Sequence, residues 1–215
     1  MANSAEEFEG VKVIALHTHG PGLFHTKRAV NTLEDLQGMK IRAGSRIISA
    51  MLAELGAEPV GMPVPQTTEA LSKGVIEGTT VPWEVTPSLK ISELVTNHTG
   101  FSGDYGLYTQ TFGVIMNLDS YNRLPDDLKK VIDDNSGLET SREFGRVMDS
   151  GDAAGLKIAQ DRGNTIVTLD DAETARWQAA AQPTIDKWVA DMNATGADGA
   201  ALLEAARAAI AAEAN

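Results

Sequence analysis

A chain of 215 residues with 42% hydrophobic residues is long enough to bury a proper core, as one large domain or two small lobes. Its net charge of −12 and pI near 4.7 argue against nucleic acid, which wants a basic stripe, and against anionic membrane surfaces. Without cysteine there is no disulfide, thiolate nucleophile or zinc–thiolate cluster, and no apolar run is long enough to span a bilayer.

The segment MANSAEEFEG has no basic stretch followed by an apolar one, so it does not read as a signal peptide. On that reading alone the chain would stay in the cytoplasm unless a leader precedes it. Val11 to Leu16 is an apolar run rich in β-branched residues and predicts a buried strand. The loop from His17 to His25 then carries three of the four histidines. His17 and His19 at i and i+2 share a direction on an extended strand end, and His25 follows, so a metal site must be weighed. An HxH after a strand also opens some metal-dependent hydrolases. No later cluster completes a ligand set, and the chain is short for the eight-fold barrel of such enzymes. The plainer reading has His17 and His19 hydrogen-bonding loop backbone beside a cleft.

Thr32 reads as an N-cap with Asp35 three residues on, and Gly38 closes that short helix. The strand Met39-Lys40-Ile41 then delivers Arg42 to the point where Gly44 and Ser45 begin a new helix, whose apolar face is Ile47, Ile48, Met51, Leu52 and Leu55. A strand's carboxyl end facing a helix amino end is where open α/β folds hold ligands, and helix amides favour an anion there. A guanidinium adds a planar two-pronged donor for a carboxylate. The alternative is a surface arginine paired with Glu54 or Glu58.

Pro59 to Met62 predicts a brief strand, Gln66 to Lys73 a short helix stopped by Gly74, and Val75 to Val81 a further strand ending at Pro82-Trp83-Glu84. The β-α-β-α-β alternation implies a parallel, right-handed doubly wound sheet whose carboxyl edge gathers Arg42, Met62 and Trp83. Thr111 to Asn117 is apolar on both faces and predicts a central strand. Leu124-Pro125-Asp126-Asp127 starts a helix that runs, kinked at Ser136-Gly137, to about Asp161. A strand at Thr165 to Leu169, a helix capped by Asp170 and ending near Met192, and an alanine-rich helix from Asp198 to Ala212 complete the chain. Trp177 and Trp188 lie on one helix face and read as core. The pairs Asp126-Asp127 and Asp133-Asp134 read as a solvated face, no GxSxG is present, and Thr18 to Leu23 lacks the GxGxxG spacing.

The succession TLEDLQGMKIR, LGAEPVGMPVPQTTEALSKGVIEG, VPWE and TFGVIMNLDSYNRLPDDLKKVID resembles the solute-binding proteins of tripartite ATP-independent periplasmic (TRAP) transporters. It carries the DLxGxKIR strand, the LGAxPVxMP turn, the EALxxGVIEG motif and the LPxDLKK helix start in that order. The resemblance implies an α/β fold like type II periplasmic binding proteins, with two lobes of βα units and a long bridging helix. Residues 1–110 and 162–215 would form mainly the second lobe. Residues 111–161 would be a crossover strand and long helix left from the first lobe, about a third of the family pattern being absent. It further implies periplasmic localisation, a membrane permease as partner, no cofactor and no catalytic activity.

On that basis Arg42 pairs with a substrate carboxylate, with the Gly44 and Ser45 amides nearby. Trp83 and Phe112 form apolar walls, Thr80, Gln110 or Thr111 orient polar substituents, and Met62 and His19 adjoin the cleft. Trp83 and its apolar neighbours point to a monocarboxylate with an apolar or aromatic body. Two other readings stand beside this one. One is a hydrolase holding a metal through His17, His19 and His25. The other is a shortened interaction domain whose uncovered first-lobe surface drives self-association.

Overall fold

The computed structural model describes residues 5–103 and 106–213. Its main sheet is built from β2 (Leu23–Thr26), β3 (Lys40–Ala43), β4 (Glu58–Gly61), β5 (Gly78–Val81), β6 (Asn97–Phe101) and β8 (Thr165–Leu169). The spatial order is β4-β3-β5-β2-β6-β8. The predicted parallel unit is present: β3 runs parallel to both β4 and β5. The sheet as a whole is mixed, because β2 lies antiparallel between β5 and β6. β2 falls inside the stretch read as a loop, yet all four of its residues are buried. Its polar residues hid it: His25 is satisfied by the Val81 carbonyl of β5 and Thr26 by the Arg28 carbonyl just beyond the strand.

The helix α1 (Arg46–Glu54) covers one face of this sheet together with α7 (Asp171–Ala194). Ser45 caps α1 by accepting from the Ile48 amide, and Asp170 caps α7 through the Glu173 amide. Between them lie Phe24, Leu36, Met39, Ile41, Leu52 and Trp177. A second cluster, Leu71, Ile76, Leu89, Ile91 and Val95, sits beneath α2 (Thr67–Ser72) and α3 (Ile91–Leu94). Trp177 is core as expected, set edge-on against Phe24 and Phe101. Trp188 is not: it lines an apolar groove with Ile47 and Leu202, where α8 (Gly199–Glu213) packs on α7.

Apart from this sheet stands an antiparallel ribbon of β1 (Val11–Thr18) and β7 (Thr111–Asn117). Both strand readings need correction. Only Ala15 of β1 is fully buried, and β7 has β1 as its single partner strand among the described residues, leaving Phe112 and Ile115 39% and 52% exposed. An apolar sequence on both faces predicts two covering layers, and the described residues supply one. The partition by residue number shifts too, since residues 11–18 pair with β7 rather than with the large sheet.

After α4 (Leu118–Asn122), the single kinked helix of the sequence reading is two helices, α5 (Asp126–Asp134) and α6 (Leu138–Asp161). Gly137 separates them at φ 99°, a conformation that only glycine adopts readily. Its amide donates to the Ile14 carbonyl, and the Leu16 amide donates to Ser141 Oγ, which pins the start of α6 to β1. The second half of α6 packs on the turn Trp83–Val85 that follows β5. That contact is close: a Cβ on Gly155 would stand 2.0 Å from the Trp83 carbonyl oxygen. Gly155→Ala is therefore expected to destabilise the fold by about 1–3 kcal/mol despite a better helix propensity, because backbone must move. Urea denaturation measures this, and an unchanged midpoint would show that the turn yields freely.

Candidate functional site

Arg42 lies on β3 opposite Val60 and Thr79 of its neighbours and is 4% exposed. Its Nε donates to the Met62 carbonyl at 3.1 Å, which fixes the plane of the guanidinium. The two terminal nitrogens lie over Gly44, where a Cβ would sit 3.3 and 3.4 Å from them. Neither Glu54 nor Glu58 pairs with it, and among the described residues no carboxylate lies within ion-pair distance. Burial lowers its pKa, and its one resolved electrostatic neighbour is the phenol of Tyr108. A buried cation without an anion is costly, so the arrangement is poised for one.

Arg42, Gly44, His19, Gln110 and Phe112 all line one cavity of about 140 Å³, as does Tyr108. Arg42 and Gly44 also border an outer groove of about 570 Å³ with Ser45 and Met62. Of the predicted residues, five thus meet in the inner cavity and two lie on its outer side. The Ser45 hydroxyl is committed to capping α1. Thr80 is fully buried, its hydroxyl turned to the Arg42 carbonyl at 3.5 Å, and it does not line the cavity. Thr111 is exposed opposite Thr18 in the ribbon. Trp83 is no wall of the Arg42 cavity: its indole rests on His25 and His98, with centroids 5.0 and 4.9 Å away, and borders a separate cavity of about 270 Å³.

Tyr108 escaped the sequence reading, whereas Glu84 ends the Val81–Glu84 loop that the family resemblance places along the cleft. Tyr108 donates its hydroxyl to the Thr80 carbonyl at 2.9 Å, and burial raises its pKa. Glu84 stands at the cavity, its amide donating to Asp152 Oδ1 at 2.8 Å. Burial, then the nearby Asp152, raises the Glu84 pKa, while His19 opposes. Burial likewise raises that of Asp152. The available signal for Glu84 was its place directly after Trp83 in the strand-end loop. Asp152, 68 residues on, had none.

The histidines of the HxH loop diverge. His17 stacks on Phe112 with centroids 5.4 Å apart and leans on Phe144. His19 Nδ1 bonds to the Gly20 carbonyl. His25 is fully buried, its Nδ1 2.7 Å from His98 Nδ1 and its Nε2 3.1 Å from the Val81 carbonyl. A carbonyl only accepts, so His25 Nε2 carries the hydrogen and His25 Nδ1 is the acceptor of His98 Nδ1–H. His98 Nε2 is then free to accept from Asn164 Nδ2 at 3.0 Å. The chain Asn164, His98, His25, Val81 is complete with both rings neutral. Among the described residues no group of three or more His, Asp or Glu is arranged to hold a metal.

An uncompensated arginine at the carboxyl edge of an α/β sheet, walled by aromatic side chains, has the architecture of a binding protein for a small anion. Over residues 1–191 the chain matches the family described as bacterial extracellular solute-binding protein, family 7 (DctP), and it belongs to that family. A TRAP solute-binding protein of Rhodoferax ferrireducens, solved with copurified benzoate, is 48% identical with a TM-score of 0.92, covering 95% of this chain and 64% of that one. A marine metagenome TRAP solute-binding protein specific for aromatic acid ligands, solved with metahydroxyphenylacetate, is 43% identical with a TM-score of 0.91, covering 94% and 64%. The C4-dicarboxylate-binding periplasmic protein DctP of Rhodobacter capsulatus is 26% identical over 194 residues, 87% of this chain and 55% of the relative. The chain thus spans less than two thirds of each of these proteins.

Proposed function

We propose that this chain is the ligand-binding part of a TRAP solute-binding protein that captures a small monocarboxylic acid with an aromatic body and presents it to a membrane permease from the periplasm. The observation that carries the reading is Arg42: 4% exposed, held in plane by the Met62 carbonyl, and facing a cavity without a counter-ion. A carboxylate there gains two charge-assisted hydrogen bonds and removes the cost of an isolated buried cation. Phe112, Val85 and Pro82 line the rest of the cavity and suit a flat apolar ring. The two solved relatives above, which bind aromatic acids, support the same class.

The test is a thermal-shift panel of benzoate, phenylacetate, succinate and glucuronate. A ligand held at about 100 times its Kd stabilises the native state by about 2.7 kcal/mol. Benzoate or phenylacetate is expected to raise the melting temperature, succinate and glucuronate far less. A cooperative melt that none of the four acids moves would refute the proposal.

A further inference from the structure

We infer that Glu84 determines specificity at the end of the cavity away from Arg42, admitting monoacids whose far end donates a hydrogen bond and rejecting acids that carry a second carboxylate. The inference rests on the binding reading above and names the substrate class more narrowly. Arg42 and Glu84 line the same small cavity but form no ion pair with each other. The Glu84 side chain forms no ion pair and no hydrogen bond among the described residues, and His19 is its one favourable electrostatic neighbour. The two side chains therefore stand unpaired in the one cavity, which Val85 and Phe112 also line.

The acidic pole is built rather than loose. The Glu84 amide is fixed by Asp152 on α6 at 2.8 Å. A Cβ on Gly151 would stand 2.7 Å from Glu84 Cβ, so the same helix backs the residue closely. Asp152 adds a second carboxylate on that side, and His19 is the titratable base that faces both.

A ligand that places its carboxylate on Arg42 puts its other end against this pole. A hydroxyl there has an acceptor waiting, whereas a carboxylate meets like charge in a desolvated site. Dicarboxylates are excluded by that repulsion rather than by size.

The experiment is calorimetry of benzoate, 3-hydroxybenzoate and isophthalate with the wild-type chain, Glu84→Gln and Glu84→Ala. Wild type is expected to bind 3-hydroxybenzoate about 5-fold or more tighter than benzoate, and isophthalate about 50-fold or more weaker. In Glu84→Gln the isophthalate penalty, measured against benzoate on the same variant, is expected to shrink by about tenfold. In Glu84→Ala the preference for the hydroxyl is expected to disappear. Ligand ratios within about twofold of wild type, in whichever of the variants melts cooperatively, would overturn the assignment. Benzoate bound equally well by wild type and Arg42→Ala would instead overturn the Arg42 reading and this inference with it. Unchanged ratios with Arg42-dependent binding would remove Glu84 alone.

Discussion

Arg42→Met is expected to raise the melting temperature of the ligand-free protein while removing its affinity for aromatic acids. The methionine keeps much of the aliphatic stem that fills the space between β3 and Met62 but takes away a buried cation that has no anion. Removing an uncompensated buried charge stabilises, and leaving the Met62 carbonyl without its donor costs part of that gain. A net gain of about 1–2 kcal/mol, or about 2–8 °C, is the outcome for a chain of this size. Binding moves the other way. A carboxylate facing methionine loses both hydrogen bonds and its charge partner, on the order of 3–5 kcal/mol, or roughly a hundred- to a thousand-fold or more in Kd. Arg42→Lys recovers little, because an ammonium lacks the planar fork. Calorimetry of unfolding and of ligand binding reads both signs. A variant that is less stable and still binds within a few-fold of wild type would show that Arg42 is a structural residue.

The buried histidine pair is expected to give the second large effect, on the pH dependence of stability. Burial, reinforced by the neighbouring ring, lowers the pKa of His25 to about 3, and burial lowers that of His98 to about 4. Both rings are therefore neutral in the fold down to about pH 4, while in the unfolded chain they take up protons near pH 6.5. Between those values the unfolded state binds more protons, so stability falls as pH falls. Two such groups remove about 4 kcal/mol between pH 7 and pH 5. Denaturant titrations at the two pH values measure the loss, and NMR identifies its source, because both imidazole resonances are expected to hold their neutral shifts at pH 5. A midpoint above pH 6 for either ring would refute the protonation chain from Asn164 to Val81.

The parts of the fold that were legible in the sequence are those where local propensity and burial agree. The β3-α1-β4 stretch reads directly because Ile41, Ile48, Met51 and Leu52 are both apolar and buried, and because Ser45 and Gly56 mark the helix ends. Arg42 stood out in the sequence for the complementary reason: a cation at the end of an apolar strand is out of keeping with its neighbours, and in the fold it is buried without an ion pair among the described residues. What could not be read is where burial and composition part. β2 and β6 lie inside the sheet with His25, Thr26, His98 and Thr99 buried, and the two histidines and Thr99 are satisfied by residues far along the chain. Trp83 was expected as a wall beside Arg42 and instead rests its indole on the buried histidine pair, which no local pattern announces. β7 failed in the opposite sense, an apolar strand left half uncovered. Beside the Arg42 cavity, Tyr108 was missed because a lone tyrosine in a loop carries no pattern until β5 is in place to accept its hydroxyl.

The α6 helix joins the two sheets, and its position constrains how they move relative to each other. A continuous helix of 24 residues, about 36 Å long, transmits force along its axis without bending much. One end is tied to the ribbon through Ile14 and Leu16, and the other carries Gly151, Asp152 and Gly155 against the turn holding Trp83 and Glu84. The rod is bounded by two glycines in the left-handed region, Gly137 at φ 99° and Gly163 at φ 73°. In engineering terms α6 is a strut: the ribbon and the turn that holds Glu84 are kept at a spacing set by the length of a helix rather than by a loop.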